Sequence, residues 1–211
     1  MCAVLFTLVT WQVAADGPLL APDERAGRIL SRPHSYSPIA EFCADLGNAP
    51  IAVSVLGAAI CWAAWRGFRT RVRRWWLPPL AAALAMGAVP AVVVPLKLWI
   101  GRPGLLGPAE GYGWYPSGHA ATATVAYGMA ALLLAAVPRR RARARRLLAA
   151  AAVLLNLVVA AGLIRRGYHW PLDVLASWLL FGALLYAVSR PVLGRAAPRP
   201  HTSPAPEPSD R

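Results

Sequence analysis

The stretch that indicates the fold is LLAAAAVLLNLVVAAGLI at residues 147–164, which contains no charged residue. As a helix rising about 1.5 Å per residue, it would be roughly 27 Å long, close to the hydrocarbon thickness of a bilayer, about 30 Å. Four further charge-free stretches occur in the chain, at 46–65, 75–96, 111–138 and 174–189. Five such stretches in 211 residues predict a protein of the membrane rather than a soluble one.

The composition agrees with a membrane protein, but the net charge is unusual. Hydrophobic residues make up 57% of the chain and charged residues 15%, whereas soluble domains carry about 25% charged residues. The net charge is nonetheless +13. An apolar and strongly basic chain is typical either of a membrane protein with basic loops or of a nucleic-acid binder, and the position of the charge separates the two.

The arginines are concentrated in segments that alternate with the apolar stretches. Residues 66–74 contain five arginines, residues 139–146 contain six, and the C-terminal tail adds more. The positive-inside rule places these segments in the cytoplasm, and it places the alternate loops outside, at 16–48, 101–117 and 166–170. Since this alternation accounts for the charge, we expect no nucleic-acid partner.

These patterns predict an all-α fold, a polytopic membrane helix bundle with about six transmembrane helices. The membrane-embedded domain extends over 1–193, and the Pro-rich cytoplasmic tail 194–211 is predicted to be disordered. The spans are predicted at about 1–15, 49–65, 76–97, 118–137, 147–165 and 171–189. The first is favoured as a short span over a signal peptide, because it lacks a basic n-region.

One short helix is predicted outside the spans, on the outer membrane surface. Ser37 is a good N-cap, Pro38 suits the first helical position, and Gly47 follows the last apolar residue. Apolar side chains lie between these signals, at Ile39, Phe42 and Leu46.

Polar residues that could take part in catalysis or binding lie at the outer ends of the predicted spans. Ionisable residues at membrane depth are costly and are usually functional. The set comprises Lys97, Arg102, Ser117, Gly118, His119, Arg165, Arg166, His169 and Asp173. Lys97 is the only lysine in the chain, and the three cysteines have no metal-type spacing.

Two groups of residues within this set have the properties that phosphoryl transfer needs. Ser117 is a good N-cap and Gly118 permits close approach, so the free N–H groups of the following helix form an anion site beside His119. His169 lies just before the last span, and Asp173 follows four residues later, roughly above it on the same face. A carboxylate on one ring nitrogen fixes the tautomer and leaves the other nitrogen to attack.

This constellation resembles the type 2 phosphatidic acid phosphatase superfamily of membrane lipid phosphatases. Its members show a Lys…Arg-Pro segment, a Pro-Ser-Gly-His segment and an Arg…His-x-x-x-Asp segment on one side of a six-helix bundle. The resemblance implies that His169 is the nucleophile and forms a phosphohistidine, that Asp173 orients it, and that His119 protonates the leaving oxygen. It also implies that the phosphate is held by Lys97, Arg102, Ser117 and Gly118, with no metal and no cofactor.

Two positions depart from the family pattern. The first segment usually has Arg seven residues after the Lys, but Gly104 stands there, and Arg102 is the nearest substitute. The third segment usually has Arg six residues before the His, but Leu163 stands there, so Arg165 or Arg166 must serve.

The resemblance therefore implies a multi-pass lipid-phosphate phosphatase of the plasma membrane, with its site on the extracytoplasmic face. Its substrate would be a prenyl diphosphate such as undecaprenyl diphosphate, or a glycerophospholipid such as phosphatidic acid or phosphatidylglycerol phosphate. The alternative is a non-catalytic lipid-binding or transport protein on the same scaffold. A soluble oxidase or haloperoxidase with the same motifs is disfavoured by the five apolar stretches.

Overall fold

Eight α-helices are present in the parts of the chain that the computed structural model describes, residues 1–31, 37–105, 113–137 and 141–194. They are α1 (Cys2–Ala14), α2 (Leu20–Leu30), α3 (Pro38–Asp45), α4 (Ala49–Arg69), α5 (Leu77–Ile100), α6 (Gly118–Ala135), α7 (Ala142–Arg165) and α8 (Pro171–Gly194). The tail was predicted to be disordered, and its residues beyond Gly194 lie outside the described part of the chain.

Five of the helices, α4 to α8, are long and apolar enough to cross a membrane. Helix α1 is apolar but has only 13 residues, which corresponds to about 20 Å at 1.5 Å per residue. It packs against α8. The prediction of a polytopic all-α membrane bundle is confirmed.

Helix α6 is the centre of the bundle and packs against α4, α5, α7 and α8. Of the helices long enough to span, it has the largest buried share, 61% of its most apolar window. Its buried face is rich in alanine, for example at Ala120, Ala123 and Ala126. Small side chains let neighbouring helices approach closely, as is typical of interfaces between membrane helices.

The long N-terminal loop contains two helices, of which the sequence predicted one. Helix α3 begins as expected, with the Ser37 hydroxyl accepting from the N–H of Ala40 and Pro38 in the first turn. Helix α2 was not predicted, because its charged residues obscure an apolar periodicity. It lies against the start of α8, where a Cβ on Gly27 would come within 2.5 Å of the Trp170 ring. Both helices therefore cover the end of the bundle at which α6 and α8 begin.

Candidate active site

The first residues of α6 and α8 are joined directly by hydrogen bonds. The Ser117 N–H donates to the Asp173 carbonyl at 3.1 Å. The Ser177 hydroxyl is within donating distance of two carbonyl oxygens, at 2.8 Å from Ser117 and 3.1 Å from Asp173. His119 follows Ser117 by two residues and His169 precedes Asp173 by four, so these bonds bring both histidines to one place.

His169 is placed by the way in which α7 ends. Gly167 has a φ of +72°, a conformation that glycine adopts without the steric cost of a Cβ. The Tyr168 N–H donates back to the Leu163 carbonyl at 2.9 Å, which closes the helix in the manner of a Schellman motif. The chain then turns so that His169 meets the first turn of α8.

The His169 ring is held by Asp173. Its Nδ1 lies 3.2 Å from Oδ2 of Asp173, and the same oxygen accepts from the Trp170 N–H at 3.1 Å. Both side chains are buried, with 3% and 0% of their surface exposed. Because a carboxylate only accepts, Nδ1 carries the proton. Within the described residues Nε2 has no hydrogen-bond partner, so its lone pair is available.

Arg102 is held between two carboxylates on the far side of Asp173. Its guanidinium donates to Oδ1 of Asp173 at 2.7 Å and to Oδ2 of Asp23, on α2, at 2.6 Å. Burial alone would lower the pKa of Arg102, but the charges of Asp173 and Asp23 raise it above its ordinary value. Asp23 also accepts from the Leu172 N–H at 2.9 Å. The structure therefore places this predicted phosphate ligand where it orients Asp173.

Lys97, Gly118 and His119 line a groove of about 730 Å³ between α4, α5 and the start of α6. We call it the lateral groove; its other lining residues include Asn48, Val53, Met86, Gly87, Val89, Pro90, Val93 and Thr122. His119 lies within electrostatic range of both Lys97 and His169. The polar residues are at one end, and the remainder is largely apolar.

The N-terminus of α6 faces the polar end of the lateral groove. The Ser117 hydroxyl, fully buried, accepts from the Ala120 N–H at 3.3 Å. The N–H groups of Gly118 and His119 precede the first intrahelical bonds and remain donors for an anion. A Cβ on Gly118 would meet only Val93, at 4.0 Å, so the backbone is accessible there.

The two candidate arginines after α7 have different surroundings. Arg166 donates from Nε to Glu41 of α3 at 2.6 Å, and its guanidinium lies 5.6 Å from the centre of the Tyr168 ring. The Tyr168 hydroxyl bonds the same carboxylate at 2.9 Å. Arg165 is exposed. Arg166 thus ties α3 to the end of α7, and contact of either arginine with phosphate stays a prediction.

The two positions that depart from the family pattern, Gly104 and Leu163, are both closely packed. A Cβ on Gly104 would lie 2.6 Å from the Trp114 indole nitrogen, so Trp114 occupies the volume that a side chain at 104 would need. Trp114 also packs edge-on against His169, with ring centres 5.4 Å apart. Its N–H is buried without a partner among the described residues. Leu163 is fully buried in the core.

Tyr115 connects helix α1 to this end of the bundle. Its hydroxyl is 2.9 Å from that of Thr10 on α1, and the side chain is fully buried. Burial raises the pKa of Tyr115 to about 12, so the phenol stays protonated at neutral pH. It therefore anchors α1 beside the Ser117–His119 segment.

Three residues of the site were missed from the sequence: Asp23, Asp45 and Asn48. The Asn48 amide bonds both His119 and Asp45. The sequence contained no signal for these contacts, because all three residues lie in the loop 16–48, which was predicted only to face outward. In the part of the chain that the structure describes, no group of three or more His, Cys, Asp or Glu side chains is placed to hold a metal ion.

Comparison with known proteins agrees with this arrangement. Residues 78–196, more than half of the chain, match the PAP2 superfamily. The chain belongs to the PAP2 superfamily. The solved structure of a transmembrane PAP2-type phosphatidylglycerolphosphate phosphatase from Bacillus subtilis superposes with a TM-score of 0.69. It is 21% identical, and the match covers 88% of this chain and 92% of that one. This likeness shows that the two share a fold. No curated protein matches the chain.

Proposed function

We propose that this PAP2 superfamily member is a lipid-phosphate phosphatase that works through a phosphohistidine on His169. The observation that carries the proposal is the pairing of His169 with Asp173 within electrostatic range of a second histidine, His119, which lies at the polar end of an apolar groove. Two histidines with different partners can divide nucleophilic attack and proton transfer between them.

In the first step, the His169 Nε2 lone pair forms a bond to phosphorus. The bond from phosphorus to the leaving oxygen breaks, its electron pair goes to that oxygen, and His119 supplies the proton. In the second step, a water molecule attacks phosphorus while His119 takes one of its protons. The phosphorus–nitrogen bond breaks, inorganic phosphate is released, and Nε2 regains its lone pair. Asp173 stabilises the positive charge on His169 throughout.

Phosphate is held, in this proposal, at the polar end of the lateral groove. Lys97 supplies a point charge, and the N–H groups of Gly118 and His119 supply donors at the positive end of the α6 dipole. Ser117 contributes by capping the helix and fixing its first turn. Arg102 acts on Asp173 instead, as its two buried ion pairs indicate.

The apolar part of the lateral groove suits the lipid chain. From Met86 to Lys97 the groove follows twelve residues of α5. Eleven rises of about 1.5 Å give about 16 Å, half the thickness of a hydrocarbon core of about 30 Å. A substrate would enter sideways from the bilayer and keep its chain there. Arginine-rich segments 66–74 and 139–146 at the opposite ends of the spans support a plasma-membrane protein with an extracytoplasmic site.

Phosphate release from purified protein in detergent tests the proposal. The substrates are undecaprenyl diphosphate, phosphatidic acid and phosphatidylglycerol phosphate, the last because the Bacillus subtilis protein of the same fold is a phosphatidylglycerolphosphate phosphatase. We expect release from at least one of them, with and without chelator. His169→Ala should abolish it, His119→Ala should reduce it by about 10²–10⁴-fold, and His201→Ala in the tail is the matched control. No release from any lipid, or full turnover by His169→Ala, would refute the proposal.

The alternative of a non-catalytic lipid-binding protein is motivated by Gly104 and Leu163, which stand where the family has arginine. Vanadate separates the two, since it mimics the trigonal phosphoryl transition state. A phosphatase should be inhibited and thermally stabilised by vanadate in a manner that depends on His169. A scaffold without an anion site should show neither effect.

A further inference from the structure

The turn between α3 and α4, residues 46–48, contacts His119 and its helix at three points. A Cβ on Gly47 would lie 3.0 Å from the His119 carbonyl oxygen and 3.2 Å from its Cβ, so only glycine fits without a shift. The Tyr127 hydroxyl, two turns along α6, donates to the Leu46 carbonyl at 2.6 Å. The Asn48 Oδ1 is hydrogen-bonded to His119 Nε2.

The direction of these bonds follows from the chemistry of the partners. The Asn48 amide nitrogen lies 2.6 Å from Oδ1 of Asp45, and an ionised carboxylate can only accept. The amide nitrogen must therefore face Asp45, which turns Oδ1 toward His119. Because an amide oxygen also only accepts, His119 Nε2 must carry a proton. Nδ1 is then the ring nitrogen that can exchange a proton with substrate or water.

A purely structural role does not explain the Asn48 side chain. Asn48 occupies the N-cap position of α4, where asparagine usually accepts a bond from the first turn. Its side chain makes no such bond. It spans Asp45 and His119 instead, and Asp45 closes α3 just before the turn. The α3 helix is in turn fixed to α7 through the contact of Glu41 with Arg166.

We propose that Asn48, held by Asp45, is a positioning residue for His119. It fixes the ring plane and keeps Nε2 protonated, so that the transferable proton is always on Nδ1. When the bond between phosphorus and the leaving oxygen breaks, the Nδ1 proton moves to that oxygen, and neutral His119 remains bonded to Asn48 through Nε2–H. This inference rests on the proposed phosphatase function. Asp173 gives His169 a charged partner, which suits a nucleophile that becomes positively charged. Asn48 gives His119 a neutral partner, which suits an acid that gives up its proton.

The test compares two leaving groups, because only one of them needs an acid. The alkoxide of dioctanoyl phosphatidic acid must be protonated as it leaves, whereas the nitrophenolate of p-nitrophenyl phosphate leaves unprotonated. For Asn48→Leu we expect kcat/KM for the alkyl phosphate to fall about 10- to 100-fold, the range found when the partner that orients a metal-bound histidine is removed. The value for the aryl phosphate should change less than about threefold. The ratio of the two values cancels any loss of folded protein.

Asn156→Leu is the matched control, since Asn156 bonds Thr124 within the bundle and should leave the ratio unchanged. Should Asn48→Leu fail to fold, Asp45→Asn serves instead. It allows the Asn48 amide to flip and should lower the same ratio by a smaller factor. An unchanged ratio, with both substrates affected equally or neither affected, overturns the inference while wild-type activity keeps the phosphatase proposal. A wild-type protein that releases phosphate from none of the lipid phosphates, phosphatidylglycerol phosphate included, overturns the phosphatase proposal first.

Discussion

Replacing Arg102 by methionine would remove the cation that joins two buried carboxylates, Asp23 and Asp173. The side chains of Arg102, Asp23 and Asp173 are 4%, 3% and 0% exposed. Methionine preserves much of the side-chain volume and its contact with the Trp170 ring, which lies 5.5 Å from the guanidinium carbon. The change therefore isolates the charge and its two hydrogen bonds from the packing.

The expected loss follows from burial. Removing one partner of a buried ion pair costs about 3–5 kcal/mol, because it leaves an uncompensated charge. Here two carboxylates lose their cationic partner at once, although Asp173 keeps the bonds from His169 and Trp170 and Asp23 keeps the bond from Leu172. We therefore expect a loss within that range. Arg28→Met provides the comparison on the same helix as Asp23. Arg28 pairs with Glu24 at 3.2 Å, with 60% and 37% of the two side chains exposed, and exposed pairs contribute about 0–1 kcal/mol.

The assay is reversible unfolding in mixed detergent micelles, with the free energy of unfolding measured for each variant. Asp23→Asn added to Arg102→Met should recover part of the loss, because it neutralises one of the stranded carboxylates. Turnover of folded Arg102→Met should also fall, since Asp173 loses the group that holds its second oxygen. If Arg102→Met costs no more than Arg28→Met, the buried network does not stabilise the site and the reasoning is wrong.

Three further predictions concern the groove, the α3–α7 contact and the arginines after α7. Gly87→Leu should fill the lateral groove and lower kcat/KM for a long-chain lipid phosphate but not for p-nitrophenyl phosphate, whereas Gly57→Leu, with equally open surroundings, should change neither value. Gly162→Ala should lower the free energy of unfolding by about 1–3 kcal/mol, since its Cβ would lie 2.7 Å from the Ala40 carbonyl oxygen and closer still to the Ala44 nitrogen; an unfolding curve equal to wild type would show that α3 can move away. Arg165→Gln should raise KM for lipid phosphate more than Arg166→Gln, because Glu41 already engages Arg166; steady-state phosphate release checks the order, and the reverse order would reassign the contact.

Much of the fold could be predicted because membrane insertion depends on local sequence. Runs without charge must span as helices, since backbone polar groups in lipid need internal partners. Helix α3 could also be predicted, because Ser37 and Pro38 stabilise the first turn of the helix that they begin. Helix α2 was not, because its four charged residues dominate its composition. Only its contact with α8 explains why Asp23 and Gly27 face inward.

In the candidate site, too, the local contacts could be predicted from the sequence and the long-range contacts could not. The contact of His169 with Asp173 is local, because His169 lies two residues before α8 and Asp173 lies in the first turn of that helix. The cap at Ser117 likewise fixes the N-terminus beside His119. Arg102 shows the limit of such reasoning: its place in the chain suggested a phosphate ligand, but its partners are 71 and 79 residues away. No local rule gives those distances.

The sequence by itself determined the all-α class, the five long apolar helices, the end of the bundle at which the polar residues gather, and the local contacts at the starts of α6 and α8. Each of these depends on interactions within a few residues or on the solubility of a segment in lipid. Only the tertiary structure decided which long-range partner each polar side chain has. It assigned Arg102 to Asp23 and Asp173, Arg166 to Glu41, and His119 to Asn48. The physical reason is that a buried polar group must find a partner wherever the packed helices bring one.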